Sequence, residues 1–212
     1  MLNPAATYDY DAWSSIVVAG HHYVFMPQRQ VFKDGQLLIE SDRFLLPDIY
    51  FQKGLWYLSG EDGIWTTPSL QETPTLLCPL GYSAATIDIS DRGLAMAGLD
   101  DGLFVLDSSG LRRVSPIECN YVRWEGDRLL IVAIEPNRIL SVSSIDGTVE
   151  EVKVKLPKDF IGYDRLPGIE IIETWETISV NGFVIDEKIT SFRLQPGWLS
   201  IVFNDRVCFY NI

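Results

Sequence analysis

The stretch GLWYLSGEDGIW occupies Gly54–Trp65, and the stretch GLAMAGLDDGLF occupies Gly93–Phe104. Both begin with Gly-Leu and end with Asp-Gly followed by one aliphatic and one aromatic residue. In each, the first glycine and the glycine of the Asp-Gly pair lie nine positions apart. Asp-Gly between apolar runs favours the tight turn of a β-hairpin. The two stretches therefore predict two similar hairpins and indicate an internal repeat.

Three more segments share this strand-turn-strand form. They begin at Gly20 (GHHYVFMPQRQVF), Asp127 (DRLLIVAIEPNRILSV) and Gly197 (GWLSIVFNDRVCF). The five starts are separated by 34, 39, 34 and 70 residues, the last interval being about twice the others. A short apolar segment precedes most copies and another follows several of them. Four antiparallel strands in about 35–40 residues are typical of one propeller blade.

The segment from about Asp48 to Leu156 resembles three consecutive blades of a β-propeller. The residues that carry the resemblance are Gly54-Leu55, Asp62-Gly63, Gly93-Leu94, Asp101-Gly102 and Asp127-Arg128-Leu129. It is a resemblance to an architecture and not to a functional family, since neither a Trp-Asp signature nor a kelch-type glycine doublet occurs. It implies an all-β chain of four-stranded antiparallel repeats, with five blades or, alternatively, six. A strand from the N-terminus would complete the last blade; an open β-sheet stack or a sandwich is the other fold that remains. We expect one domain over residues 1–212.

The segment Gly168–Asp186 interrupts the repeat. Its apolar spacing fits one side of a helix, but its many β-branched residues favour strands. It also concentrates negative charge around an aromatic side chain that could anchor a contact. We therefore predict a partner-binding surface here and a second one near the N-terminus. The predicted residues are Glu170, Glu173, Trp175 and Glu176 in the first surface, and Tyr8, Tyr10 and Trp13 in the second.

The charge balance restricts the partner. Acidic residues number 29 against 17 basic ones, for a formal net charge of -12. Such a chain is repelled by a nucleic-acid backbone and by an anionic membrane, so neither is expected as a partner. A basic protein would suit it, although solubility alone explains a negative surface equally well.

Other features predict a cytoplasmic protein. The longest apolar runs, such as Leu129–Ile134, are far too short to cross a bilayer, and the N-terminus lacks the pattern of a signal peptide. The three cysteines form no CxxC pair, which favours reduced thiols over a disulfide framework or a zinc site.

No motif for catalysis or cofactor binding occurs. His21 and His22 are the only histidines, and adjacent strand residues point to opposite faces. There is no GxSxG elbow, no phosphate-binding glycine loop and no EF-hand spacing. Asp62 and Asp101 are interpreted as turn residues. We thus predict no catalytic, metal-binding or cofactor-binding residues.

The leading hypothesis is a non-catalytic protein–protein interaction module. A concrete form is an acidic inhibitor or immunity-type protein that neutralises a basic protein such as a toxin. The alternatives are an accessory subunit of a larger assembly and a propeller that binds or hydrolyses glycans through a carboxylate site. The oligomeric state is not predicted.

Overall fold

The computed structural model describes residues 3–40, 48–60, 62–80, 84–98 and 101–212. Within these ranges the chain is all-β, with 24 strands arranged as six four-stranded antiparallel sheets. The sheets are numbered I to VI in chain order. The chain forms two compact units, one of Met1–Leu45 with Asp159–Ile212 and one of Leu46–Lys158.

The unit Leu46–Lys158 contains three sheets, each an up-and-down meander of consecutive strands. Sheet II is β6 (Asp48–Gln52), β7 (Leu55–Gly60), β8 (Gly63–Thr67) and β9 (Thr75–Pro79). Sheet III is β10 (Thr86–Ser90), β11 (Gly93–Gly98), β12 (Gly102–Asp107) and β13 (Gly110–Ser115). Sheet IV is β14 (Cys119–Glu125), β15 (Arg128–Ala133), β16 (Arg138–Ser143) and β17 (Val149–Glu151).

The other unit contains sheets I, V and VI. Sheet I is β2 (Ser14–Val18), β3 (His21–Phe25), β4 (Gln30–Lys33) and β5 (Gln36–Glu40). Sheet V is β18 (Phe160–Leu166), β19 (Ile169–Thr174), β20 (Ile178–Val180) and β21 (Phe183–Ile185). Sheet VI is β22 (Ile189–Gln195), β23 (Trp198–Phe203) and β24 (Val207–Asn211), completed by β1 (Ala6–Tyr8).

Two expectations about the repeat are resolved by these sheets. The segment Gly168–Asp186 forms strands, as its β-branched residues predicted. It forms sheet V, which brings the number of four-stranded sheets to six. The alternative prediction of six blades is therefore the one that the structure has. The first strand of the chain completes the last sheet as predicted, with Ala6 opposite Phe209 and Tyr8 opposite Val207.

The second strand of a sheet is typically buried on both faces. In β15, for example, Leu129 to Ala133 are all buried, and Val202 and Phe203 of β23 are fully enclosed. A strand with both faces buried requires a continuous apolar run instead of alternation. This explains why the segments that carry the repeat are so uniformly hydrophobic.

The glycines of the two Asp-Gly pairs have a different role from the one the turn pattern suggested. Gly63 is the first residue of β8, where it pairs with Gly60, and a Cβ at this position would lie 2.2 Å from the Cys78 carbonyl oxygen. Gly102 is equivalent in β12, where a Cβ would lie 2.4 Å from the Ser115 carbonyl oxygen. These glycines allow close approach of the fourth strand. Glu61 of the first turn, and Leu99 and Asp100 of the second, lie outside the described residues.

Candidate protein-binding surfaces

The hairpin between β19 and β20 presents the most exposed tryptophan of the described residues. Trp175 is 66% exposed, and Glu176 beside it is also exposed. The turn is held by Thr174, whose hydroxyl accepts hydrogen bonds from the backbone N–H of Thr177 (3.0 Å) and of Glu176 (3.3 Å). The Thr174 N–H donates to the Thr177 carbonyl oxygen at 2.9 Å. The indole and the carboxylate are therefore displayed on an internally bonded turn.

Glu173 immediately precedes Thr174 in β19, and its side chain is on the same face of the strand as the buried Ile171. Its carboxylate folds against Gly162, where a Cβ would lie 2.4 Å from Oε2. Burial raises the pKa of Glu173 to about 7. No hydrogen bond to this carboxylate is found within the described ranges, so nothing there offsets the cost of ionising it.

Glu170 is separated from these residues. Strand alternation puts it on the opposite face of β19 from Glu173. Its register partner on β18 is Arg165, so it lies toward the end of sheet V away from Trp175. Its carboxylate accepts a hydrogen bond of 3.0 Å from the Tyr163 hydroxyl. The structure thus brings Glu173, Trp175 and Glu176 to one end of the sheet and leaves Glu170 elsewhere.

Two further carboxylates lie at the Trp175 end of sheet V. The register pairs Phe160 with Thr174 and Ile178 with Ile185, which brings the start of β18 and the end of β21 to this end. The exposed Asp159 precedes β18 and the exposed Asp186 follows β21. Lys188 is an exposed cation two residues further along. Neither aspartate was among the predicted site residues, because only the register places them beside the tryptophan. We define Asp159, Trp175, Glu176 and Asp186 as the sheet V surface.

The second predicted surface divides into packed and exposed residues. Tyr8 and Tyr10 are stacked with their ring centroids 6.1 Å apart, and Tyr10 also packs on Phe32 at 4.6 Å. The Tyr10 hydroxyl donates to the Gly35 carbonyl oxygen at 3.0 Å. Trp13 is 42% exposed, while its carbonyl oxygen accepts a hydrogen bond from the Ser191 hydroxyl. Of the three, only Trp13 is an exposed residue.

The two histidines occupy opposite faces of β3, as alternation predicts. His21 is exposed, with Nδ1 2.7 Å from Asp34 Oδ2. His22 is half-buried, stacks on Phe209 with 4.3 Å between ring centroids, and lies edge-on to Trp198 at 5.3 Å. Its Nδ1 is 3.1 Å from the Tyr8 hydroxyl. Across the described ranges, no three His, Cys, Asp or Glu side chains come together in a way that could hold a metal ion.

The buried carboxylates join neighbouring sheets within the unit Leu46–Lys158. Asp48 Oδ2 accepts the Ile87 N–H at 2.8 Å, and Asp88 Oδ2 accepts the Trp124 N–H at 2.6 Å. Burial raises the pKa of Asp88, against the opposing effect of the nearby Arg123. Both carboxylates are thus engaged in holding backbone donors, which is a structural role.

Similarity to solved structures identifies the fold. No protein-family model matches the sequence, and no curated protein matches it either. The WD40 β-propeller domain of Doa1 is similar over 100% of this chain and 97% of its own, with 14% identity and a TM-score of 0.66. BamB from Moraxella catarrhalis is similar over 93% of this chain and 69% of its own, with 12% identity and a TM-score of 0.59. The computationally designed protein Ika8 is similar over 95% and 83%, with 12% identity and a TM-score of 0.60.

These similarities, with the six four-stranded sheets, define the chain as a β-propeller of six blades. Identities this low establish the fold and no functional family. In the part of the chain that the structure describes, no helix is long and apolar enough to span a membrane.

Proposed function

We propose that this propeller is a non-catalytic protein-interaction module that binds a basic protein through the sheet V surface. The observation that carries the proposal is the exposure of Trp175 on an internally bonded turn. Tryptophan is enriched among the residues that dominate binding energy, and a fixed turn lowers the ordering cost of association. The solved structures with this fold include a chain of the mitotic checkpoint complex, a protein assembly.

The charge of the surface supports a basic partner. Asp159, Glu176 and Asp186 are exposed at the same end of sheet V as the indole, and the chain as a whole carries a formal charge of -12. Complementary charge speeds encounter and selects partners more than it adds affinity. Binding to a basic protein should therefore weaken as salt is added, mainly through slower association.

In its most specific form, the proposal is that the module acts as an inhibitor or immunity-type protein. It would cover the nucleic-acid-binding surface of a basic protein such as a toxin, because an acidic propeller competes for cationic side chains that otherwise bind phosphates. We also propose a cytoplasmic location. The free, buried thiols of Cys78, Cys119 and Cys208 support a reducing compartment.

The experiment uses the immobilised chain to retain proteins from a lysate at low salt, followed by titration of each retained protein in pure form. A basic protein should bind with an affinity that falls as salt rises. Trp175→Ala should weaken binding about thirtyfold, as expected for a central aromatic contact. Phe183→Ala is the matched control, since Phe183 is a 45% exposed aromatic in the same sheet and begins β21 at its opposite end.

The result that overturns the proposal is equally specific. Retention of no basic protein, or equal binding by Trp175→Ala and the wild-type chain, would remove the sheet V surface as the binding site. If a bound partner keeps its ability to bind nucleic acid, only the inhibitor form of the proposal is excluded.

A further inference from the structure

We propose that His22 is a pH-sensitive latch that holds β1 onto sheet VI when neutral and releases it when protonated. The latch lies within the unit Met1–Leu45 with Asp159–Ile212 and is independent of the sheet V surface. It acts on β1, which is weakly held.

β1 is a three-residue strand at the edge of its sheet. It is held by its pairing with β24, by the Ala5 N–H donated to the Phe209 carbonyl oxygen at 2.7 Å, and by side chains. The Thr7 hydroxyl makes a long contact of 3.7 Å with Cys208 Sγ. A strand this short gains little from backbone pairing alone, so its side-chain anchors decide whether it stays in place.

Tyr8 is the anchor that reaches another sheet. Its ring lies edge-on to Phe209, and its hydroxyl is hydrogen-bonded to Nδ1 of His22 on β3. This hydrogen bond joins the strand that completes sheet VI to the second strand of sheet I. The ring of His22, stacked on Phe209, supplies the other half of the contact.

The environment of His22 suits the neutral ring and not the imidazolium. Its Nε2 is buried and has no hydrogen-bond partner among the residues that the structure describes. A protonated ring would carry an N–H at both nitrogens, and the one at Nε2 would be a charged donor without an acceptor. An imidazolium at this position should therefore turn toward water and abandon Tyr8.

The charged and titratable groups around His22 do not reverse this preference. On β1 the facing group is Tyr8, and on β23 and β24 the facing rings are the uncharged Trp198 and Phe209. Asp34 accepts the His22 backbone N–H at 2.8 Å and favours a positive charge, whereas the neighbouring His21 disfavours one. Lys33 lies over the ring of Tyr23, on the opposite face of β3. Burial outweighs these contributions and lowers the pKa of His22 below its ordinary 6.5.

Because the latched state disfavours the proton, it binds fewer protons than the released state when the pH lies below about 6.5. The latch is therefore closed at neutral pH and weakens as the pH falls through the lowered pKa of His22. Release would uncover the edge of β24, whose backbone groups could then pair with another strand.

The test is hydrogen exchange at the Ala5 amide, which donates to the Phe209 carbonyl oxygen at the start of β1, with the rate divided by the intrinsic rate at the same pH. Between pH 7.5 and pH 5.0 the corrected rate should rise severalfold, because protonation of His22 favours the released strand. His22→Phe keeps the stacked ring and should abolish the rise. The matched control His21→Gln removes the neighbouring exposed histidine and should retain it.

Three results would overturn the latch. One is a rise that persists in His22→Phe, and another is an equal rise at the β23 amides, which would indicate opening of the whole sheet. Should His22→Phe fail to fold, His21→Gln still leaves His22 as the only histidine, so its ring protons report its titration directly by NMR. The third is a titration of His22 that does not fit the latch, either because its pKa is at or above 6.5 or because the β1 rise does not follow it.

Discussion

Replacing Glu173 by glutamine should stabilise the protein at alkaline pH and leave it nearly unchanged in acid. The carboxyl is largely buried against Gly162 with no hydrogen-bond partner in the described ranges, and burial raises its pKa from 4.5 to about 7. Above pH 7 the folded chain must hold an unpaired buried carboxylate. Glutamine has nearly the same shape and carries no charge, so it removes that cost.

The magnitude follows from the two pKa values. At about 1.36 kcal/mol for each pKa unit, a rise from 4.5 to about 7 corresponds to roughly 3 kcal/mol at pH 8. Part of the side chain reaches solvent, which screens the charge, so we expect a measured difference of about 2 kcal/mol. The unfolded chain loses its proton near pH 4.5 and the folded chain near pH 7. Folding stability therefore declines as the pH rises through this window.

The assay is urea denaturation followed by tryptophan fluorescence at pH 4.5, 6, 7 and 8 for the wild-type chain and Glu173→Gln. Other titrating groups are shared and cancel in the difference between the two free energies of unfolding. Glu176→Gln is the matched control, because Glu176 is exposed and close by, and it should show no such pH-dependent difference. A difference that stays constant from pH 4.5 to pH 8, or a variant less stable than wild type at pH 8, would refute the reasoning.

Two further predictions concern the packing of the sheets, and both are tested by the free energy of unfolding. Gly63→Ala should cost more than about 3 kcal/mol, because its Cβ would meet the Cys78 carbonyl oxygen, whereas Gly54→Ala, with free space around it, should cost about 1 kcal/mol. Equal costs would contradict the close-approach role. Asp88→Ala should cost about 1–3 kcal/mol because it leaves the part-buried Trp124 N–H without its Asp88 acceptor, and a cost below about 0.5 kcal/mol would show that this bond is unimportant.

The repeat could be predicted from the sequence wherever its copies share both a turn glycine and a continuous apolar run. Sheet V was left out of the preferred count because Glu170 and Glu173 interrupt the apolar run of its second strand. A simpler signal is present in sheet V: as in sheets I, II and VI, a glycine with positive φ lies immediately before the second strand. The angles are 80° at Gly20 and Gly54, 83° at Gly168 and 79° at Gly197. The turn before the second strand is thus a more constant feature than the turn after it.

The candidate surfaces were less predictable, because composition does not reveal which rings are already packed. Tyr8 and Trp13 are equally plausible contact residues in the sequence. In the structure the Tyr8 ring packs edge-on against Phe209, whereas Trp13 is exposed. Glu170 and Glu173 are three residues apart and share neither a face nor a partner. These distinctions arise from register and tertiary contact, which a pattern of residue types does not contain.

The negative charge of the chain is consequently divided between two kinds of carboxylate. Asp48 and Asp88 are buried and accept backbone N–H groups, so they are unavailable to a partner, whereas Asp159, Glu176 and Asp186 are free to meet one. Glu173 lies between these classes, since its raised pKa leaves it uncharged in mild acid. A partner cation near Glu173 would lower that pKa again, so complex formation would be favoured by the same rise in pH that reduces folding stability. Opposite pH dependences of folding and binding would then come from a single buried carboxyl.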